Sequence, residues 1–263
     1  MKIYNRLNSL LGWGVFLIAT VVYIITSEPT MSFWDCGEYI ATAYKLEVGH
    51  PPGAPLFQML GRFFSLFAMG DVTLVARMVN SMSALSSSFT ILFLFWSITM
   101  IAKKIALRNR EEMNEGRMFA IMGAGLVGSL AYTFSDSFWF SAAESEVYAM
   151  SSFFTAIVFW AILKWEEHAD EGHAYRWLIL IAYLMGLSIG VHLLNLLAIP
   201  AITLVYYFKK YKNPSWKGIL LAFGASIVIL SIVMYIIIPM IVSLAGWFEF
   251  FFVNSLGLPF NVG

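Results

Sequence analysis

The stretch WLILIAYLMGLSIGVHLLNLLAIPAITLVYYF, residues 177–208, decides the class of fold. It runs for 32 residues without a Lys, Arg, Asp or Glu. About 20 apolar residues are enough for a helix to cross the roughly 30 Å hydrocarbon core of a bilayer. The stretch is too long for one upright membrane-spanning helix, and it is short for two such helices. It therefore predicts a membrane protein with a helix break inside this run.

The composition of the whole chain agrees with a membrane environment. Of its 263 residues, 60% are hydrophobic and 12% are charged, and the mean hydropathy is +0.76. Soluble domains carry about 25% charged residues, so soluble and disordered classes are excluded. Basic and acidic residues number 16 each, which gives no argument for nucleic acid as a partner. The single cysteine, Cys36, excludes an internal disulfide and a cysteine-cluster metal site, and we expect it to be a packing residue.

Other apolar runs predict further membrane-spanning helices. The first, Leu10 to Thr26, follows a short basic end and has no small-residue cleavage site after it, so we expect an uncleaved anchor. Splitting the 177–208 run near His192 gives seven spans in total. The remaining predicted spans are Thr73–Ala102, Met118–Phe134, Val147–Leu163 and Gly218–Met240. The predicted fold class is an all-α polytopic membrane protein, organised as a single module over residues 1–263.

The distribution of charge sets the predicted orientation, because cytoplasmic loops retain Lys and Arg. With the N-terminus inside and seven spans, 13 of the 16 basic residues lie inside, and only Lys45, Arg62 and Arg77 fall outside. Nine of the 16 acidic residues lie outside in the same arrangement. The outer side is therefore where we expect the functional groups.

The loop between the first two spans places two carboxylates together. We expect a short interfacial helix from about Phe33 to Val48, ended by Gly49. On it, Asp35 and Glu38 stand three residues apart and share one face. Such a pair can divide its roles, with one carboxylate as a base while the other binds a metal or holds an acceptor. A structural explanation stays open, because Ser32-x-x-Asp35 fits a capping box at a helix start.

The segment His50-Pro-Pro-Gly-Ala-Pro55 predicts a rigid turn that presents an imidazole beside these acids. His50 is a candidate for phosphate binding or proton transfer, and capping of a backbone carbonyl is the structural alternative. A second helix is expected from Leu56 to Met69. Arg62 on this helix, and Arg77 beyond it, suit a lipid-linked phosphate because guanidinium groups bind phosphate oxygens in pairs. Snorkelling to lipid headgroups explains both arginines equally well.

Two further outer segments carry polar residues at the ends of spans. Glu144 fits a capping box with Ser141 three residues before it, which gives it a structural explanation. Glu146 has no such explanation, and an ionisable group at the mouth of a span is usually paired or functional. At the split of the long run, capping of a helix end within the membrane explains Asn195 well and His192 less well.

Four segments together resemble a known family. They are Phe33-Trp-Asp-Cys-Gly-Glu-Tyr39, Gly49-His-Pro-Pro-Gly-Ala-Pro-Leu56, Glu144-Ser-Glu-Val-Tyr148 and Gly190-Val-His-Leu-Leu-Asn195. In this order they resemble glycosyltransferase family 117, a bacterial family related to the protein O-mannosyltransferases. The resemblance covers essentially the whole chain and implies a GT-C-type bundle of transmembrane helices. Family members continue into further spans and a soluble C-terminal region, so we expect this chain to be the N-terminal part of such an architecture.

The resemblance also implies a reaction. A hexose, with mannose expected, moves from a polyprenyl-phosphate carrier to a Ser or Thr hydroxyl of an exported protein, with inversion. Asp35 becomes the catalytic base, and Glu38 is its catalytic neighbour in the motif. The substrate-binding candidates are His50, Arg62, Arg77, Glu144, Glu146, His192 and Asn195. No metal ligand is assigned, and a requirement for a divalent metal is left open.

The implied partners are a lipid-linked sugar, an exported protein acceptor and membrane lipid, with a further chain or C-terminal region. The implied location is the bacterial cytoplasmic membrane, with the active side facing outward. The competing hypothesis is a non-catalytic GT-C-like subunit that binds a lipid or a protein. A transporter is disfavoured, because the sequence shows neither charged residues at mid-membrane nor repeated halves.

Overall fold

The computed structural model describes residues 2–51, 53–108 and 112–260. Within these ranges the chain is helical and contains no β-strand, which confirms the predicted all-α class. Pro52 of the proline-rich turn lies outside the described ranges, as do Arg110 and Glu111 of the predicted inside loop between the second and third spans.

The helices form two compact units, Met1–Ala198 and Ile199–Gly263. The α-helices described in the first unit are α1 (Lys2–Thr26), α2 (Cys36–Lys45), α3 (Pro55–Ser65), α4 (Val75–Ala106), α5 (Glu115–Thr133), α6 (Asp136–Ala143), α7 (Val147–His168) and α8 (Tyr175–Ile189). Short 3₁₀ turns cover Leu66–Ala68, Val72–Leu74 and Leu193–Ala198. The first unit contains every candidate site residue.

Helix α4 is the central element of the first unit and packs against α1, α5 and α7. Its buried face includes Ile91 and Phe95. The neighbouring helix approaches closely at Gly125 of α5, where an added Cβ would lie 2.7 Å from the Phe95 ring. Some hydroxyl groups in α4 donate to carbonyls of the same helix, as when Ser86 Oγ donates to the Met82 carbonyl at 2.8 Å. Small residues and internal hydrogen bonds thus allow a tight bundle.

A second apolar cluster anchors the first outer loop. Ile40 of α2 and Phe57 of α3 pack with Val79 of α4 and with Met150 and Phe154 of α7. Full burial of a large apolar side chain stabilises a fold by about 1.5–3 kcal/mol. This cluster therefore holds α2 and α3 against the ends of the spanning helices.

The described residues include five helical segments long and apolar enough to cross a membrane. They are Lys2–Thr26, Val72–Ala106, Val147–His168, Leu193–Lys210 and Trp216–Leu256, and α5 with α6, bent by 63°, makes a sixth if counted as one span. This is one or two fewer than the seven predicted. One difference is α8, which has 15 residues, about 22 Å at 1.5 Å per residue, and is short of the hydrocarbon core. The other is α5, which qualifies only together with α6.

The long apolar run breaks where it was predicted to break. Helix α8 ends at Ile189, and a 3₁₀ turn from Leu193 to Ala198 follows. The backbone N–H groups of Gly190 and Val191 donate to carbonyls three residues earlier, those of Leu187 and Ser188, at 3.0 Å each, so the last turn of the helix tightens at its end. The predicted split near His192 is confirmed.

The second unit contains α9 (Ile199–Lys210), α10 (Trp216–Ile232) and α11 (Ile238–Leu256). Ser215 caps α10, since its side chain accepts a hydrogen bond from the Gly218 N–H at 3.1 Å. A π-helical segment, Val233–Ile237, joins α10 to α11 just before Pro239. Proline has no N–H to donate to the preceding turn, which explains the irregular hydrogen bonding there. The predicted span Gly218–Met240 is thus part of one longer helical run.

The two helices of the first outer loop are shorter than predicted. Helix α2 ends in a left-handed turn at Leu46, with φ of 55°. The Glu47 N–H donates to the Thr42 carbonyl at 2.9 Å and closes this turn. The prediction that Gly49 ends the helix is therefore wrong, because a leucine adopts the left-handed conformation three residues earlier. The second helix becomes 3₁₀ after Ser65.

Candidate active site

The first outer loop brings two carboxylates and one imidazole together. Asp35 precedes the first turn of α2 and Glu38 lies within that turn. The His50 backbone N–H donates to Glu38 Oε1 at 2.6 Å, and Nδ1 of the ring lies 3.0 Å from Oε2. On the other side of the ring, Nε2 lies 3.8 Å from Asp35 Oδ2. The sequence prediction that these three residues are neighbours is confirmed by the geometry.

The left-handed turn at Leu46 is what returns the chain to the start of α2. Gly49 then passes so close that an added Cβ would lie 3.1 Å from Glu38 Oε1. A second turn follows, in which the Gly53 N–H donates to the His50 carbonyl at 2.9 Å and Gly53 has φ of 74°. Gly49 therefore permits a close approach of the backbone to Glu38, and the turn after it presents His50.

The start of α3 ties this loop to the break after α8. The Gly190 carbonyl accepts from the Leu56 N–H at 2.8 Å and from the Phe57 N–H at 3.4 Å. Pro55 occupies the first position of α3, where its missing N–H costs no hydrogen bond. Two of the four segments on which the family resemblance rests thus meet through one carbonyl group.

The second outer loop contributes two buried carboxyl groups. Glu144 and Glu146 are 5% and 6% exposed, in contrast to the 55% exposed side chain of Asp35. Burial raises the pKa of Glu146 to about 7, and the negative charges of Asp35 and Glu144 act in the same direction. Hydrogen bonds from backbone N–H groups, first of all that of Val147, oppose this rise. Glu146 is therefore a carboxyl group that changes charge near neutral pH beside an exposed acid.

Cys36 confirms its predicted role as a packing residue. It is fully buried, and its Sγ lies 3.5 Å from Glu144 Oε2 as a weak hydrogen-bond donor. Burial raises the pKa of the thiol, and the neighbouring carboxylates raise it further. The cysteine stays neutral and gives Glu144 a partner.

Neither proposed capping box forms. Helix α2 begins at Cys36, so Asp35 is the N-cap itself, and its side chain makes no capping hydrogen bond. Ser141 lies inside α6 and its Oγ donates to the Ser137 carbonyl at 3.2 Å, while Glu144 follows the end of α6. Both capping predictions are wrong, because each helix begins or ends at a different residue from the one that the pattern requires. The Asp35 carboxylate is therefore not used to cap α2.

Asn80 of α4 joins the two outer loops and was not predicted from the sequence. Its Nδ2 donates to the carbonyls of Glu28 at 2.7 Å and Thr30 at 2.9 Å. Its Oδ1 accepts from the Ser145 hydroxyl. The Glu28 N–H also donates to the Ala143 carbonyl at 2.9 Å. An amide in an otherwise apolar run was the signal that could have identified it, since such a group must find partners.

Two tyrosines complete the surroundings of the cluster. The Tyr39 ring lies 6.1 Å from the His50 ring and 5.2 Å from the Phe57 ring, between centroids. Burial and the nearby carboxylates raise the pKa of Tyr39 to about 12, so its phenol is neutral. Tyr148, at the start of α7, lies 5.5 Å from the His192 ring. Both tyrosines belong to the motifs that carry the family resemblance, but their roles were not predicted.

His192 and Asn195 both make local contacts at the helix break. His192 Nδ1 accepts from the Leu194 N–H at 3.1 Å. Asn195 is fully buried, and its Nδ2 donates to Ser188 Oγ at 2.9 Å. Asn195 therefore does not cap a helix end as predicted, because its Nδ2 bonds to a side-chain hydroxyl and its Oδ1 has no hydrogen-bond partner within the ranges that the structure describes.

The two arginines lie apart from the acids. Arg62 donates from Nη1 to the Tyr44 carbonyl at 2.7 Å and lies 5.3 Å from the centre of the Tyr44 ring. Arg62 thus stabilises the C-terminal end of α2. Arg77 is exposed. Among the described residues, neither arginine forms an ion pair with the carboxylates of the cluster.

A divalent cation would find suitable atom types at this cluster. Potential ligand atoms of Asp35, Glu38 and His50 lie within 4.8 Å of one another, and all three side chains are exposed. Both Glu38 oxygens, however, already accept hydrogen bonds from His50. We therefore describe the cluster as a hydrogen-bonded group and assign no metal to it.

Comparison with known proteins places this chain in a family. The model described as "Protein O-mannosyl-transferase TMEM260 N-terminal domain" matches residues 35–215, which contain all candidate site residues. A relative from Dictyostelium discoideum, named protein O-mannosyl-transferase tmem260, is 27% identical over 186 residues, covering 69% of this chain and 21% of the relative. The Mus musculus protein O-mannosyl-transferase TMEM260 is 24% identical over 177 residues, covering 67% of this chain and 22% of that relative.

The chain spans about a fifth of the length of the curated relatives it matches. No solved structure matches it significantly.

Proposed function

The chain belongs to the family of the TMEM260 N-terminal domain, and from this premise we propose that it carries the catalytic outer face of a membrane protein O-mannosyltransferase. Both curated relatives bear that name. The family supports a glycosyltransferase, and the apolar helices support an integral, multi-pass membrane protein. The proposed arrangement of these helices is of the GT-C type.

The proposed donor is mannose on a polyprenyl phosphate, and the proposed acceptor is a Ser or Thr hydroxyl of an exported protein. A donor held in the bilayer suits a site at the ends of spanning helices. The observation that supports the site is the position of Asp35, whose side chain is 55% exposed and makes no capping hydrogen bond. An exposed carboxylate beside an imidazole can reach a hydroxyl group that approaches from the aqueous side.

The proposed reaction is a single displacement with inversion. An Asp35 carboxylate oxygen takes the proton of the acceptor hydroxyl while the hydroxyl oxygen bonds to the anomeric carbon. The bond from that carbon to the phosphate oxygen breaks, and its electron pair leaves with the polyprenyl phosphate. The phosphate is already a good leaving group and needs no acid, although a cation such as Arg77 can stabilise it.

We place this site on the outer side of the membrane, because the positive-inside rule puts the loops with most basic residues on the cytoplasmic side. The bacterial cytoplasmic membrane is the proposed location. The acceptor therefore meets the enzyme after or during export.

Transfer from polyprenyl-phosphate mannose to a Ser/Thr peptide by the intact protein in detergent or liposomes tests this proposal. Asp35→Asn should reduce transfer at least about 100-fold, the contribution typical of a catalytic base. Glu47→Gln is the matched control, since Glu47 is an exposed carboxylate of the same loop. Unchanged transfer by Asp35→Asn would remove Asp35 as the base. Repeating the assay with EDTA tests the metal requirement.

A non-catalytic subunit is the second candidate function. The helical run Trp216–Leu256 exposes apolar side chains along its length, which favours contact with lipid or with a further protein segment. In the same assay, absence of transfer by the wild-type intact protein would favour this alternative.

A further inference from the structure

We infer that Glu38 is a positioning residue, which holds the His50 imidazole so that Nε2 faces Asp35, and that His50 supplies the positive charge beside this base. The inference rests on the proposed role of Asp35. It gives the two carboxylates of the first outer loop different tasks. Asp35 acts on the substrate, and Glu38 acts through His50.

Glu38 holds His50 at two points. Its Oε1 accepts from the His50 backbone N–H at 2.6 Å, and its Oε2 lies 3.0 Å from Nδ1. An ionised carboxylate only accepts hydrogen bonds, so Nδ1 must carry a proton. One contact locates the backbone of His50 and the other sets the rotation and the tautomer of its ring. Both oxygens of Glu38 are thus used, which leaves the proton-accepting role to Asp35.

The other nitrogen of the ring is directed at the base. Nε2 lies 3.8 Å from Asp35 Oδ2, which is within ion-pair distance and too long for a direct hydrogen bond. Because Nδ1 is engaged, Nε2 is the nitrogen that gains or loses a proton. A protonated ring places a positive charge within ion-pair distance of the carboxylate that the proposal makes the base.

In the described part of the chain, the titratable groups that face His50 are three carboxyl groups and one phenol. They are Asp35 before α2, Glu38 and the ring of Tyr39 on α2, and Glu146 before α7. The hydrogen bond that His50 donates to Glu38 raises the pKa of His50, and the charges of Asp35 and Glu146 act in the same direction. Among the described residues, no Lys or Arg forms an ion pair with these carboxylates. His50 is the cation that the geometry offers to them.

The test is the pH profile of transfer by the intact protein. In His50→Gln, the acidic limb of kcat/KM should move to higher pH by about one unit, because a neighbouring positive charge is lost. His50→Lys retains a charge and should keep the limb near its wild-type position. Glu47→Gln, which changes an exposed carboxylate of the same loop, should leave the whole profile unchanged.

The dependence of His50 on Glu38 is tested by a double-mutant cycle. Glu38→Gln should lower kcat/KM about ten-fold in the wild-type background and less than about two-fold in the His50→Gln background, because the two residues act as one unit. Independent, multiplicative losses would overturn the positioning role. So would an unchanged acidic limb in His50→Gln.

A readout without activity separates this inference from the proposed function. In ¹⁵N-histidine NMR of the intact protein, Glu38→Gln should lower the titration midpoint of the His50 ring, and Glu47→Gln should not. An unchanged midpoint would overturn the inference even if Asp35 proves to be the base. The expected shift together with full transfer by Asp35→Asn would instead retain the Glu38–His50 pair as a structural fact and reject the catalytic role built on it.

Discussion

The Gly190 carbonyl accepts a hydrogen bond from the Leu56 N–H at 2.8 Å. Gly190 is the C-terminal cap residue of α8, so the end of α8 caps the first turn of α3. This contact places the break after α8 against the outer loop that carries His50. Two segments that are distant in the sequence are thus joined through a single carbonyl group.

Gly190→Ala should destabilise the protein by about 1–2 kcal/mol, because overpacking of a tight contact carries a penalty of this size. The added Cβ would lie 3.0 Å from Leu56 Cβ and 3.4 Å from the Leu56 nitrogen. Thermal unfolding in detergent measures the effect. Gly186→Ala is the matched control on the same helix, since nothing lies within 4 Å of its Cβ position, and it should be neutral or stabilising by up to about 1 kcal/mol. Equal changes in the midpoint of thermal unfolding for both variants would contradict a stabilising contact between Gly190 and Leu56.

Asn80→Ala should destabilise the protein by about 2–3 kcal/mol. The change leaves the carbonyls of Glu28 and Thr30 and the Ser145 hydroxyl without their partner, and unsatisfied buried polar groups carry a penalty of about 1–3 kcal/mol each. Ser83→Ala is the control on the same helix, because the Ser83 hydroxyl is buried without a hydrogen-bond partner. It should leave the midpoint of thermal unfolding unchanged or raise it. A loss in Ser83→Ala as large as in Asn80→Ala would show that general packing, and not the hydrogen bonds, is responsible.

Glu146 should make stability depend on pH. Its pKa in the folded protein, about 7, lies above the ordinary value of 4.5, so the folded state holds the proton between these two pH values and the unfolded state releases it. Stability contributed by the neutral carboxyl is therefore present below about pH 4.5 and is lost as pH rises to 7, by about 3 kcal/mol.

Glu146→Gln should abolish this loss, because the amide stays neutral at all pH values. The measurement is the difference in unfolding free energy between wild type and variant from pH 4.5 to 8, with Glu47→Gln as the exposed control. Parallel curves for wild type and Glu146→Gln would refute the raised pKa.

The sequence was sufficient to place the acids and the imidazole in one region, because Asp35 and Glu38 are one helical turn apart and the proline-rich turn could only lie near them. It was not sufficient to show how they are connected. The return of the chain to Glu38 depends on a left-handed Leu46, a conformation that leucine adopts rarely and that no local pattern predicts. Arg62 likewise takes a backbone carbonyl of Tyr44 as partner, a choice made by tertiary packing.

The membrane class and the helix break followed from composition and charge, whereas helix ends did not. The capping patterns around Asp35 and Glu144 were misleading, because Ser and Thr near an acid occur often and only the true first turn decides which pattern is used. By contrast, the short length of α8 agrees with the expectation that the 177–208 run is short for two helices. An apolar run reveals where a chain can enter a bilayer, but the backbone hydrogen bonds decide where the helix stops.

The hydrogen bonds of Asn80 have a consequence for substrate access. The Asn80 amide is bonded to the segment that follows α1 and to the segment that precedes α7. The two loops therefore cannot separate without breaking those hydrogen bonds. In the proposed reaction, substrates would therefore reach the exposed side chains of Asp35 and His50 without these loops separating.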